Sequence, residues 1–271
     1  MLRTILLGSL MLLSSMSLFA STYPVHISGN TAETTITLPG GYEVDVALTF
    51  ENVMGLTAQN INISAYVANP LSADISSRLA SQLISLQAAY PVVIRIEPLA
   101  NSGFSFSGPL VIDLHTHNLQ YSLNTPLRLY KSHDGAAFED ITVATGAGSI
   151  RTRGQVGNLS DFIIVADVRP VAQVINQKAL KLEQQLNNFA SQIAPELLTA
   201  LQQSVSIIRS ECGAVRYPQA LSEIKKLQKL ISNANAAQIP NVWRSARDID
   251  NVSGMLTASA ETLAYSLRLA I

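Results

Sequence analysis

The chain has 271 residues, 48% of them hydrophobic and only 14% charged, with a formal net charge of −1. That apolar share is ample for packed cores and excludes a chain disordered throughout. The near-neutral balance excludes a broad basic surface for nucleic acid, and the single cysteine, Cys212, excludes an intrachain disulfide.

Residues 1–20 read as a secretory signal peptide: Arg3 supplies the positive start, Ile5 to Leu18 the short apolar core, and Phe19-Ala20-Ser21 the small-residue cleavage site. A span needs about 20 apolar residues, and no later stretch reaches that length, so stable membrane insertion is not expected. The expected mature protein begins near Ser21 and works in the periplasm or outside the cell. An exported chain with one thiol must rely on its cores, which favours a bacterial source. Charge divides unevenly. Residues 21–169 carry 7 Lys/Arg and 12 Asp/Glu, whereas residues 170–271 carry 10 and 7.

From Val25 to Asp167 the pattern is mostly that of strands. Thr34 to Leu38 and Glu43 to Phe50 flank the Pro39-Gly40-Gly41 turn and predict a hairpin, with Val44, Val46, Leu48 and Phe50 on one face. Asn60 to Val67, Val92 to Glu97 and Leu110 to His117 continue the alternation. Leu127 to Lys131 leads through His133-Asp134-Gly135 to a strand over 138–143, and Ser149 to Arg153 and Asp161 to Ala166 close the set. Short strands separated by turn residues predict an antiparallel β-sandwich over residues 21–169. One segment departs from this. Leu71, Ile75, Leu79 and Leu83 recur every fourth residue and predict an amphipathic helix over 71–89, laid across an end or open face of the sandwich.

Beyond Pro170 the period becomes helical. The stripe Ile175, Leu182, Leu186, Phe189, Ile193 predicts one helix, and Pro195 opens a second with Leu198, Leu201, Val205, Ile208 and Cys212. Pro218 opens a third, through Leu221, Ile224, Leu227 and Ile231. Pro240-Asn241 opens a fourth, with Val242, Ile249, Val252, Leu256, Leu263 and Leu267. Short connections predict an antiparallel three- to four-helix bundle over residues 170–271, and a homo-oligomer built through it is one expectation for assembly. The fold class is thus α+β, a sandwich with one inserted helix followed by a bundle. Cys212 and Trp243 read as core residues, and Arg151 and Arg153 share a strand face suited to pairing with acids across the sheet.

The string Val111-Ile112-Asp113-Leu114-His115-Thr116-His117 resembles the first metal-binding motif of the PHP-type phosphoesterases and, more loosely, that of the amidohydrolases. The resemblance implies a metal-dependent hydrolase on a barrel, with Asp113, His115 and His117 at a divalent metal such as zinc or manganese. Residues two apart on a strand share a face about 6.6 Å apart, close enough for two imidazoles to meet one ion. Taken by themselves, these residues read as the wet face of a half-buried strand whose Ile112, Leu114 and Thr116 point inward. Only His26 and His133 remain as further imidazoles, short of the ligand series a barrel draws from later strands.

Residues 107–167 resemble the end of ZU5-type and related Ig-like extracellular sandwiches, through Thr125 to Lys131, His133-Asp134-Gly135 with Phe138 to Thr142, and Leu159 to Ala166. That resemblance implies a structural or interaction module without catalysis, with Phe138 where the pattern usually has Trp. The layout is also similar to that of an uncharacterised family of exported bacterial proteins. The leading expectation is therefore a non-catalytic interaction or scaffold module with a protein or cell-envelope partner, no cofactor and no nucleic acid. The alternative is the metal-dependent hydrolase.

Overall fold

The computed structural model describes residues 21–271, so the expected signal peptide lies outside the described residues. In chain order the strands and helices are β1 (Ser21–Thr22), β2 (His26–Ser28), β3 (Thr31–Leu38), β4 (Tyr42–Met54), β5 (Ile61–Val67), α1 (Ala73–Ser76), β6 (Ile84–Leu86), β7 (Val92–Pro98) and β8 (Ser105–Gln120). There follow β9 (Leu127–Ser132), β10 (Glu139–Asp140), β11 (Thr142–Gly146), β12 (Ser149–Val156) and β13 (Asp161–Asp167). The remainder comprises α2 (Val171–Asn188), a 3-10 turn at Ala190–Gln192, α3 (Pro195–Gly213), α4 (Tyr217–Asn233), β14 (Val242–Arg244) and α5 (Val252–Arg268).

The strands form two antiparallel sheets, one in the order β1-β5-β7-β13-β9-β10 and the other β11-β12-β8-β4-β3-β2. The facing sides of the two sheets are apolar and meet in one core. Val44, Val46, Leu48 and Phe50 of β4 and Ile112 and Leu114 of β8 share it with Ile63, Ile94, Leu129 and Phe162 of the other sheet. The parallel barrel implied by the phosphoesterase motif is not formed among the described residues, where every strand pair is antiparallel. β8 is the longest strand and bends at Gly108, whose φ of +71 suits glycine, opposite a register shift in β4 between Phe50 and Asn52.

Helices α2, α3 and α4 lie where their apolar stripes place them. Ile175, Leu182, Leu201, Ile208, Ile224, Leu227, Leu256 and Leu263 share a second core, in which α2 packs on α3 and α5 and α4 packs on α3 and α5. α5 also lies against β8, β11 and β12. No helix among the described residues is long and apolar enough to cross a membrane.

Three elements differ from expectation. The helix over 71–89 is reduced to the single turn α1, followed by β6. Serine recurs through this segment and competes for the backbone: Ser76 Oγ donates to the Ser72 carbonyl, and Ser81 Oγ accepts from the Leu83 amide. β13 meanwhile outruns β7, which pairs only with Asp161–Ile163, and β6 fills the vacated edge at Val165–Asp167. Leu71 is left exposed, while Ile75, Ile84 and Leu86 cover the outer face of that sheet with Phe138 and Val165.

The strand expected over 138–143 is two strands in two sheets. Asp140 Oδ1 accepts from the Thr142 amide at 2.9 Å, a local turn that sends the chain across. The helix expected from Pro240 starts only at Val252. Residues 242–244 instead add β14 to β8, because Trp243 stacks on Phe106 at 5.4 Å between ring centroids and lies beside Phe104. Trp243 is the core anchor expected of it, on a strand rather than a helix.

Candidate metal centre

The wet face of the β4–β8 pair carries the candidate site. Antiparallel register sets Asp45 directly opposite His115, and His117 follows two residues on along the same face. Directly opposite residues stand about 5 Å apart at Cβ, so the three side chains converge without any distortion of the strands. One donor atom from each of Asp45, His115 and His117 lies within 4.8 Å of the other two. The two imidazole centroids are 4.6 Å apart and inclined at 60°.

His115 and Asp45 each have an orienting neighbour. His115 Nε2 lies 2.7 Å from Ser149 Oγ, and His115 Nδ1 lies 3.4 Å from Asp45 Oδ2. Thr35 Oγ1 on β3 donates to Asp45 Oδ1 at 2.8 Å. The β12–β8 register is irregular beside the Ser149–His115 contact, between Ser149 and Arg151. Two tautomers satisfy this geometry. With the proton on Nε2, the ring donates to Ser149 and turns an Nδ1 lone pair toward the Asp45 carboxylate. Two acceptors then face each other, an arrangement that a cation between them converts from repulsion to coordination. With the proton on Nδ1, Ser149 donates and the ring N–H faces the Asp45 carboxylate 3.4 Å away. The first tautomer is the one able to bind metal.

Asp113 takes a different partner. Arg153 donates to Asp113 Oδ2 through Nε at 3.0 Å and Nη2 at 2.7 Å, and Arg151 Nε lies 3.7 Å from Oδ1. The structure therefore brings together His115 and His117 from the sequence-selected set, seats Asp113 with the two arginines, and supplies Asp45 from a strand seventy residues earlier. Asp45 was visible only as a polar residue on the outward face of an alternating strand; its register against β8 carries no local signal.

The other singled-out residues have structural places. His133 Nδ1 lies 3.3 Å from both the Leu159 carbonyl and Ser160 Oγ, and burial, then the Lys131 ammonium, push its pKa down. His26 pairs with Glu33 in the strand ladder. Cys212 is buried and free in the helical core, where burial pushes its thiol up to about 11, unsuited to a nucleophile at neutral pH.

No curated protein matches the chain. A model described as a family of unknown function, DUF6689, matches residues 8–270. Since that match spans nearly the full sequence, the chain belongs to the DUF6689 family.

Proposed function

We propose that the mature protein is an exported, non-catalytic binding module, a β-sandwich followed by a helical bundle, that holds one divalent transition-metal ion on the outer face of the sandwich. The observation carrying this reading is the convergence of Asp45, His115 and His117 donor atoms within 4.8 Å, with His115 oriented by Ser149. Two imidazoles and one carboxylate suit zinc better than manganese or calcium, which favour all-oxygen shells. Calorimetric titration of the mature protein with zinc tests it. Stoichiometric binding is expected, lost or weakened at least about tenfold in His115→Ala and Asp45→Ala and by about 10–100-fold in Ser149→Ala, since partners that orient a ligand act at that scale. Asp113→Ala is expected to retain the metal. Absence of binding, or equal binding by His115→Ala, rejects the site.

The hydrolase reading has one feature in its favour: three protein ligands leave room for a bound water, the arrangement of catalytic zinc. Zinc-dependent cleavage of a phosphomonoester that disappears in His115→Ala is the result that would replace the non-catalytic reading.

A further inference from the structure

A second polar cluster lies where the sheets meet the helices. β9, β10 and β12 face α2 and α5 across a cavity of about 60 Å³. Its walls present three ammonium groups, Lys131, Lys178 and Lys181, against two carboxylates, Glu139 and Asp140, with the Gln155 amide between them. Lys178 and Lys181 are three apart on α2 and therefore share a helix face.

The charges do not cancel. Lys178 Nζ lies 2.7 Å from Asp140, both nearly fully buried, and donates to the Thr262 carbonyl at 3.1 Å. Glu139 stands opposite Lys131 in the β9–β10 register but pairs with Lys181. Lys131 is left with the Asn158 side-chain oxygen as its acceptor, and among the described residues no carboxylate reaches it within ion-pair distance. Yet Lys131 is 9% exposed. A buried ammonium without a counter-charge carries a large desolvation cost. That cost shows in its pKa, which burial pushes down to about 8. Gln155 Oε1 is buried here with no donor, so its amide also has unused hydrogen-bonding capacity, and a half-turn of the terminal group presents NH₂ instead.

We propose that this cavity binds a small oxyanion, anchored by Lys131 and supported by Lys178, Lys181 and the Gln155 amide. The volume admits roughly four waters, at about 15 Å³ each. That is room for phosphate, sulfate or a short carboxylate and too little for a nucleotide. The site uses β9, β12 and α2, and is separate from the Asp45–His115–His117 face.

Thermal unfolding of the mature chain, with chelator present to silence the metal site, tests this. Sodium phosphate, sulfate and acetate are compared with chloride at matched ionic strength. A saturable rise in melting temperature beyond chloride is expected, as for any ligand that binds only the folded state. Phosphate and sulfate acting without acetate identifies a tetrahedral anion; acetate alone identifies a carboxylate. Lys131→Met and Lys131→Gln are expected to weaken the effect by about tenfold or more, the scale of one charge-assisted hydrogen bond. Phosphorus NMR line broadening of phosphate by the unmodified chain gives a reading that needs no variant. Identical melting in all anions, or an anion effect unchanged in folded Lys131→Met or Lys131→Gln, overturns the proposal.

Discussion

Substitution of Asn251 tests how the last helix is fastened to the sheets. Asn251 is fully buried at the N-cap of α5. Its Oδ1 accepts from the Gly254 amide at 2.9 Å. Its Nδ2 donates to the Gly108 carbonyl at 2.7 Å, in the bend of β8, and to the Gly157 carbonyl at 3.4 Å, just after β12. One amide thus caps the helix and ties it to two places in the sheet. Asn251→Ala removes a cap worth about 1 kcal/mol and strips the Gly108 carbonyl of its donor, at about 1–3 kcal/mol. The expected loss is about 2–4 kcal/mol, a large share of the 5–15 kcal/mol typical of a folded protein. For a chain of this size that corresponds to a melting temperature lower by about 10 °C.

Gly254→Ala should damage the same contact, since an added Cβ would lie 2.4 Å from Asn251 Nδ2 and 2.6 Å from the Gly108 oxygen. The double variant should therefore lose clearly less than the two single losses combined. Denaturant unfolding of all four proteins measures this. A single-variant loss within about 0.5 kcal/mol, as for ordinary surface changes, would refute the reasoning, as would simple additivity.

Lys131→Met should stabilise the protein near pH 7 when no anion is added. The folded pKa lies near 8, below the unfolded value. The unfolded chain therefore binds the extra proton between the two, and stability of the natural protein rises as pH climbs from about 8 to 10.4. The variant's advantage, up to about 3 kcal/mol at pH 7, should vanish by pH 10.5; urea melts at both values check it. Asp167→Asn should be destabilising by about 3 kcal/mol at pH 7, because it leaves buried Arg169 without its ion partner. Burial alone would raise the Asp167 pKa, but hydrogen bonds from Arg169 and Tyr130 outweigh it and hold the carboxyl below its usual value. The stability contributed by Asp167 is present above the unfolded pKa and lost as acid takes the folded group through its own, so the gap between the two proteins should close in acid melts. Trp243, the only tryptophan, is docked beside Phe104 and Phe106. Its fluorescence should shift to the red in the same transition that removes helical circular dichroism, and Trp243→Ala should cost about 3–5 kcal/mol.

Much of the local structure was legible in the sequence because it rests on periodicity. Val44, Val46, Leu48 and Phe50 alternate because neighbouring strand residues face opposite ways. Leu201, Val205, Ile208 and Cys212 recur at three and four because one helix face is buried. His115 and His117 share a face for the same reason as Val44 and Val46, so half of the candidate metal centre was readable from a single strand. The other half was not. Asp45 joins them only through the register of β4 on β8, and Ser149 through the irregular pairing of β12 with β8.

Two of the three elements that differed share a cause. Residues 84–86 and 242–244 carry patterns a helix would accept, yet both became strands because β13 and β8 had unpaired edges to fill. Lys131 gave no sign of burial in its own strand; the helices packed over it decided that. Side-chain period is a property of neighbouring residues, so the chain alone determined which faces are apolar. Backbone pairing, charge burial and ligand convergence depend on groups far apart in sequence, and only the tertiary structure could decide which of them meet.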